Sequence, residues 1–445
     1  MVTLVVELYA LRRLRFDWVV VALVLLGTVL HVDYLSYTSI SERNYDGPSH
    51  IEYIRSIAEH HRLPDVLDCG ACGHPPLYYA VAAVWSKVIL AGGWMPFELG
   101  LQWLSLLLFF GFVVIALSMF RSCILRPATL WLATALVVFW PSSVINAVRV
   151  HNDALASVLM LGAIYFTARW DRHGRSRDFH IALASCALAL LTKSSGYTVA
   201  VTLIVFAAVR ALSPELRRQS IKSCAVAIVV LGAVAAGTGA LQRSQSPRTV
   251  CQKVLGHACD GRYVPAVVDR PSRFLRFDVR RFVVRMDTLP DDPEHDYFLN
   301  RLAKSSLFGV APLGDELASP RHQTLAVVMS VLLLGLVASC VIALPFLPFL
   351  RGESLRKYRV YLGATIIMFA FLVAFRIRAP NEFHEDFRHI FPALVPLCLG
   401  YATILDRVGR ESRKPSWLFQ GLRGAGITMG LAMAAASAAF FARLL

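Results

Sequence analysis

The feature that most constrains this chain is the repetition of long apolar runs. Runs of about 18 to 25 mostly apolar residues recur along the sequence. The 445 residues are 56% hydrophobic and only 17% charged. Each run is long enough to cross the hydrocarbon core of a bilayer as a helix. The runs are continuous rather than alternating, which argues against a transmembrane β-barrel. The sequence therefore predicts an all-α polytopic membrane protein.

About eleven transmembrane helices are predicted, the first near residues 16–35 and the last near residues 424–441. Basic clusters alternate with polar, acidic loops, and cytoplasmic loops are the ones enriched in Lys and Arg. The pattern predicts a cytoplasmic N-terminus, an exported C-terminus and a single transmembrane domain over residues 1–445. The first apolar run is interpreted as a signal anchor, because it is long enough to span and no small-residue cleavage site follows it.

Two exported loops are predicted to stand out from the short connections. The first, residues 36–98, contains two amphipathic or aromatic segments that we interpret as helices at the membrane surface. The second, residues 242–323, is the one long polar piece, and residues 297–309 within it resemble another surface helix.

The formal net charge of +15 does not indicate nucleic-acid binding. Most basic residues lie in short loops between apolar runs, as the positive-inside rule requires. The same residues can hold the anionic headgroups of membrane lipids or a phosphate-bearing lipid. Compactness alone favours a bacterial inner membrane, with the periplasm as the exported side, over an endoplasmic reticulum.

The first exported loop concentrates residues capable of chemistry. Asp46 is placed to act as a general base towards an acceptor hydroxyl, although an aspartate before a helical run also caps helices. His74 precedes two prolines that suit the first turn of a helix carrying Tyr78. Glu52 is the next carboxylate along the loop if a second one is needed.

Four of the nine cysteines fall in predicted exported loops, where an oxidising compartment permits disulfides. They are Cys69, Cys72, Cys251 and Cys259. Pairing within each loop is the simplest arrangement, but the sequence does not fix the connectivity. The cluster Cys69-x-x-Cys72-x-His74 lacks the adjacent histidine of a c-type haem site and the further ligands of a structural zinc site.

Ionisable residues from distant parts of the chain are predicted to emerge on the same exported side. Asn152 and Asp153 follow the third predicted span, Lys193 lies at the tip of a helical hairpin, and Arg388 and His389 enter a late span. Each has a structural explanation on its own: helix capping, snorkelling of the lysine, or a local ion pair. Together they supply cations for a lipid phosphate and a carboxylate for an activated hydroxyl.

The order of these motifs resembles the GT-C glycosyltransferases of the protein O-mannosyltransferase and aminoarabinose-transferase type, over residues 16–401. The motifs are an aspartate after the first span, His-Pro-Pro-Leu-Tyr-Tyr, Asn-Asp, Lys-Ser-Ser-Gly, a large loop, and Phe-Arg-His-Ile-Phe-Pro. The resemblance implies a GT-C fold and transfer of a sugar from a polyprenyl-phosphate carrier, with inversion, on the exported face.

The resemblance also implies roles for individual residues. Asp46 matches the catalytic acidic residue of the first loop and His74 the histidine of the His-Pro-Pro motif. Lys193 and Arg388 match basic positions suited to the carrier phosphate, whose negative charge grows as it leaves. The substrate-binding candidates are His74, Tyr78, Asn152, Asp153, Lys193, Arg388 and His389.

Two features depart from the family pattern. Gly47 follows Asp46 where a second acid is usual, which makes Glu52 the candidate second carboxylate. The chain ends at Leu445 without an exported C-terminal domain, so a lipid or glycan acceptor is expected rather than a protein. No cofactor is indicated with certainty. Asp46, Glu52 and Asp153 are able to bind a divalent cation, but their spacing does not decide this.

Two other classes of function are open to the sequence. A polytopic transporter or a flippase for lipid-linked sugars would place charges in the middle of spans. Most polar residues here lie at helix ends, which favours chemistry at the membrane surface. A non-catalytic subunit of an exported assembly is the third class, and activity of the purified chain alone excludes it.

Overall fold

The structure is a computed structural model. It describes residues 17–40, 46–65, 68–124, 126–243, 271–284, 297–309, 319–343, 353–378, 385–408 and 417–443. These ranges form helices joined by turns, with no strand among them. The predicted all-α class is therefore confirmed for the part of the chain that is described.

Seventeen α-helices follow one another along the described residues. They are α1 Trp18–Tyr37, α2 Gly47–His60, α3 Leu77–Gly92, α4 Phe97–Cys123, α5 Pro127–Phe139, α6 Pro141–Val148, α7 Asp153–His173, α8 Ser176–Leu190, α9 Tyr197–Ala211, α10 Arg217–Arg243, α11 Pro271–Leu275, α12 Val279–Val284, α13 Phe298–Phe308, α14 Pro320–Ala343, α15 Glu353–Arg378, α16 Leu394–Val408 and α17 Trp417–Phe441. Short 3₁₀ helices at Ser194–Gly196 and Phe387–Ala393 lead into α9 and α16.

Eight helical segments in the described residues are long and apolar enough to cross a membrane, which makes the chain a multi-pass membrane protein. The bent pair α5 and α6, which meet at 48°, raises this number to nine if it forms one span. The helices α7 and α8, predicted as the fourth and fifth spans, are not among these eight, although α7 has 21 residues and α8 has 15. The predicted count of eleven spans is therefore not confirmed.

Helix α7 lies at the centre of the bundle, packed against α4, α8, α9 and α15. Its Trp170 and the Phe120 of α4 are fully buried. Helices α1, α16 and α17 pack around α5, and α10 lies outside α9. Every second connection between the helices consequently lies at the same end of the bundle, so several loops meet there.

The first predicted loop folds into a helical pair that packs on the bundle. Helix α2 packs against α3, and α3 against α4, around a small apolar cluster that includes Ile54 and Tyr79. Cys69 and Cys72 form a disulfide in the turn before α3. Pro76 is the N-cap residue of α3, so the proline pair opens this helix as predicted. Cys251 and Cys259 lie outside the described residues.

Helix α13 differs from its sequence-based interpretation as a surface helix. Nine of its 11 residues are buried. The indole of Trp140 donates a hydrogen bond to the carbonyl oxygen of Ser306 at 2.9 Å, and the hydroxyl of Ser305 accepts one from the backbone N–H of Phe387 at 2.9 Å. The polar face that suggested solvent or headgroups contacts protein instead, so that prediction is wrong.

Candidate functional site

Six of the predicted site residues line one cavity of about 210 Å³ at the end of the bundle where α2, α7 and α9 begin. They are Asp46, His74, Asn152, Lys193, Arg388 and His389. Ser194 and Ser195 of the turn before α9 add to the polar lining. The apolar lining consists of Ile390 and of Phe371, Leu372 and Phe375 on α15. The cavity therefore joins an ionic surface to a hydrophobic one.

Asp46 occupies the N-cap position of α2, yet its side chain makes no capping hydrogen bond. Arg388 Nη1 donates instead to both of its carboxylate oxygens, at 3.0 and 3.2 Å. Burial alone would raise the pKa of Asp46, but Arg388 and His50 lower it more, so its pKa lies well below its ordinary value. The carboxylate is consequently ionised and held in one orientation.

Arg388 reaches the cavity from the 3₁₀ helix Phe387–Ala393. The Asp386 carboxylate caps this helix by accepting a hydrogen bond from the backbone N–H of Arg388 at 3.0 Å. Its other oxygen lies 3.1 Å from Arg388 Nε. Arg388 thus bridges two carboxylates, one local and one 342 residues earlier in the sequence.

Lys193 does not snorkel towards a membrane surface. Its ammonium donates to Asp153 Oδ1 at 2.5 Å, and both side chains are buried. The turn between α8 and α9 carries Lys193, and Asp153 is the first residue of α7. Asn152, next to Asp153, is the N-cap residue of α7 without a side-chain capping bond, and its amide donates a long hydrogen bond to the Thr192 carbonyl oxygen at 3.4 Å.

The cavity contains a neutral histidine. His74 is partly buried in the cavity lining, and burial, together with the neighbouring His50 and Lys193, lowers its pKa to about 3 despite the opposing carboxylates. His74 therefore offers a hydrogen-bonding nitrogen rather than a positive charge at neutral pH. His151, behind the cavity, is held neutral in the same way, with a pKa lowered to about 3 chiefly by burial.

Two predicted residues do not line this cavity, and a third faces another space. Glu52 is exposed on α2, and Tyr78 is completely buried within the packing of α3. Asp153 faces a separate small cavity of about 20 Å³, which it shares with Arg388, Asn146 and His151. Arg388 is the residue that separates the two spaces, because it lines both.

The candidate carboxylates do not assemble into a metal-binding group. Among the described residues, no three or more His, Cys, Asp or Glu side chains lie close enough together to hold a metal ion. Asp46 and Asp153 are each engaged by a cation of the chain itself, Arg388 and Lys193. Glu52 is exposed and contributes no third ligand.

The sequence interpretation missed His50 and Tyr79 as part of the site. His50 is one helical turn after Asp46, with its Nε2 3.6 Å from Asp46 Oδ2. Its Nδ1 and the hydroxyl of Tyr79 are hydrogen-bonded at 2.8 Å. The i, i+4 spacing of an acid and a histidine on an amphipathic helix was the signal that would have found this pair.

Comparisons with protein-family models and with curated proteins find no match to this sequence. Among solved structures, the fold is similar to ArnT from Cupriavidus metallidurans bound to undecaprenyl phosphate, with a TM-score of 0.41 and 14% identity over 89% of this chain and 80% of that chain. It is also similar to the archaeal oligosaccharyltransferase AglB from Archaeoglobus fulgidus in complex with an inhibitory peptide and a dolichol-phosphate. That likeness has a TM-score of 0.49 and 12% identity over 95% of this chain and 56% of AglB.

The chain thus spans only slightly more than half of AglB. Both likenesses concern the arrangement of helices alone. At identities this low they assign no role to any residue of this chain.

Proposed function

We propose that this chain is an integral membrane glycosyltransferase. It moves a hexosyl or pentosyl group from a polyprenyl-phosphate-linked donor to a lipid or glycan acceptor, with inversion at the anomeric carbon. The site of reaction is the exported face of the membrane, in the periplasm if the membrane is a bacterial inner membrane. The observation that supports this most is the single cavity that combines Asp46, two cationic side chains and an apolar wall.

The composition of the cavity suits the junction between a lipid tail and a charged headgroup. Phe371, Leu372 and Phe375 lie on α15, one of the helices apolar enough to cross the membrane. Arg388 and Lys193 line the same cavity. An isoprenoid chain is favoured against the aromatic wall by burial of apolar surface, and a phosphate is favoured near the cations.

The proposed reaction uses groups that are already in position. The hydroxyl of the acceptor attacks the anomeric carbon while the bond from that carbon to the phosphate oxygen breaks. The phosphate leaves with the electron pair, and its growing negative charge is stabilised by Arg388 and Lys193. The ionised Asp46 takes the hydroxyl proton as the new glycosidic bond forms.

The Arg388–Asp46 ion pair gives this proposal an order of events. A donor phosphate that binds Arg388 competes with Asp46 for the same guanidinium. Its arrival would loosen the carboxylate from Arg388 and turn it towards the acceptor. Asp46 is therefore available as a base once the donor is present.

The test is a transfer assay on the purified chain with a panel of radiolabelled polyprenyl-phosphate sugars. We expect release of labelled sugar from one member of the panel, and faster release when lipid or glycan acceptors are added. Labelled donor that crosses the bilayer of a reconstituted vesicle without bond cleavage would overturn the proposal in favour of a flippase. Cleavage that needs a second protein would favour a non-catalytic subunit.

A further inference from the structure

A chain of three polar side chains leads from the cavity into the packing between α2 and α3. It begins at Asp46, continues through His50 and ends at Tyr79. His50 Nε2 lies 3.6 Å from Asp46 Oδ2, and His50 Nδ1 is hydrogen-bonded to the Tyr79 hydroxyl at 2.8 Å. The His50 residue is only 2% exposed, so its imidazole exchanges protons through these two neighbours rather than directly with solvent.

We propose that His50 is a positioning residue that receives from Asp46 the proton of the acceptor hydroxyl, while Tyr79 holds its other nitrogen. This inference rests on the proposed glycosyl transfer and adds to it the destination of the proton.

The environment of Asp46 explains why the proton needs a second acceptor. A carboxylate that is held ionised by a guanidinium is a poor place for a proton to stay. An imidazole beside it is a better one, because the imidazolium that forms remains next to the Asp46 carboxylate. Distances between catalytic groups of this kind shorten when substrates bind, so 3.6 Å is compatible with transfer.

The His50 ring is fixed by its neighbours. Its plane is parallel to that of His74 within 7° at 6.0 Å, and to that of Tyr79 within 12° at 5.7 Å. Tyr53 stacks on Tyr79 at 3.7 Å and donates a long hydrogen bond to the carbonyl oxygen of His74 at 3.4 Å. The arrangement leaves the imidazole one orientation, with Nε2 towards the carboxylate and Nδ1 towards the phenol.

The titratable and charged groups around the ring and the neighbouring cavity come from five parts of the chain. Asp46 and Tyr53 belong to the α2 segment, and Tyr79 lies on α3. His74 lies in the turn before α3 and is neutral. The nearest cations of the cavity, Arg388 and Lys193, come from the 3₁₀ helix before α16 and from the turn before α9, and they face the carboxylates rather than the ring.

The proton balance of the proposed step is complete. The acceptor O–H bond breaks and the glycosidic C–O bond forms, while the bond to the phosphate oxygen breaks and its electron pair leaves with the phosphate. The proton passes through the Asp46 carboxylate to His50 Nε2. The N–H that the neutral His50 ring already carries at Nδ1 donates to the Tyr79 hydroxyl oxygen throughout. When the product leaves, the proton returns through Asp46 to the water in the cavity.

The experiment compares wild type with His50→Gln and Tyr79→Phe in the transfer assay across a range of pH. Glutamine keeps a donor and an acceptor of similar reach but does not accept a proton. We expect His50→Gln to lower kcat by about 100-fold, with the KM for the donor within about twofold of wild type. We expect the pH dependence of kcat that comes from the imidazole of His50 to be absent from this variant.

Tyr79→Phe removes the acceptor for the Nδ1 proton and destabilises the imidazolium. The ring therefore gives up its added proton more readily, and we expect the acid fall of kcat to move to lower pH. The matched control is His60→Gln, on the exposed end of the same helix, which should keep the wild-type kcat and pH profile.

A His50→Gln protein with wild-type kcat and an unchanged acid fall would overturn the inference. If His50→Gln is not recovered folded, the Tyr79→Phe profile decides, and an acid fall at the wild-type position overturns it. These results differ from failure of the proposed function, in which wild type itself releases no sugar and both proposals are lost.

Discussion

At the scale of single residues, the site is defined by which charges face one another. Asp46 occupies the N-cap position of a helix, but its side chain makes an ion pair instead of a capping hydrogen bond. Both of its carboxylate oxygens accept hydrogen bonds from Arg388. Lys193 is likewise engaged with Asp153 rather than with lipid. Arg388 and Lys193 are therefore each balanced by a carboxylate, and under the proposed function a donor phosphate competes with those carboxylates.

The first prediction concerns Asp46→Asn. The amide keeps the shape of the side chain and a hydrogen-bond acceptor for Arg388, so the protein should fold with nearly the wild-type melting temperature. It does not accept a proton, and we expect transfer to fall by at least about 100-fold. The measurement is turnover of the active donor in detergent. Glu52→Gln, at an exposed position of the adjoining helix α2, is the control and should stay active. Near-normal turnover by Asp46→Asn would show that Asp46 is not the general base.

A second prediction separates the structural and binding roles of Lys193. Lys193→Met leaves Asp153 buried without its partner, and we expect it to lower the free energy of unfolding by roughly 3–5 kcal/mol. Adding Asp153→Asn removes the stranded charge and should recover most of that loss. Both proteins should nevertheless need several-fold more donor for half-maximal rate, because the cation is absent from each. A double variant with wild-type donor dependence would mean that Lys193 serves structure alone.

At the scale of elements, the turn between α8 and α9 depends on a glycine. The backbone of Gly196 approaches that of α8 so closely that a Cβ atom there would lie 2.7 Å from the backbone of Ala189 and Leu190. The turn places Lys193, Ser194 and Ser195 on the cavity. Glycine in the Lys-Ser-Ser-Gly motif is thus required by the close approach of two helices rather than by an unusual φ angle, which is −55°.

Gly196→Ala is therefore expected to displace the turn. The overlap should cost about 1–3 kcal/mol of stability and raise the donor KM, since Lys193 and the two serines move with the turn. Thermal unfolding and donor titration measure the two effects. Gly232→Ala in α10, where an added Cβ meets no atom within 4 Å, is the control and should change neither quantity by much. Equal behaviour of the two variants would contradict the packing argument.

At the scale of the whole molecule, patterns of neighbouring residues predicted where helices form, but they did not predict which distant residues contact one another. The long apolar runs and the proline pair before α3 depend on nearby residues alone, and Pro76 is found as the N-cap of that helix. Topology also brought Asp46 and Arg388 to one end of the bundle, yet no local pattern says that residues 342 positions apart form an ion pair. Helix α13 was misread because a polar face that contacts protein has the same periodicity as one that contacts water.

Helix α15 connects the two ends of the bundle, and this gives the last prediction. Near its start, Arg359 donates to both oxygens of the fully buried Asp171 of α7, at 2.5 and 2.7 Å. More than three turns further along the helix, Phe371 and Phe375 form part of the cavity wall. Next to them, the buried Arg376 donates a hydrogen bond to Glu385 at 2.6 Å. The Arg376–Glu385 ion pair therefore holds the part of α15 that forms the cavity wall, independently of the distant Arg359–Asp171 pair.

Arg359→Met should consequently destabilise the protein without altering its site. The stranded Asp171 carboxylate is expected to lower the free energy of unfolding by about 3 kcal/mol, while the folded fraction keeps the wild-type donor KM. Arg378→Met, at the exposed end of the same helix, is the matched control and should leave stability nearly unchanged. A large rise in donor KM for Arg359→Met would contradict this separation. It would mean that the ion pair at the far end of α15 sets the position of Phe371 and Phe375, and that the helix transmits strain along its whole length.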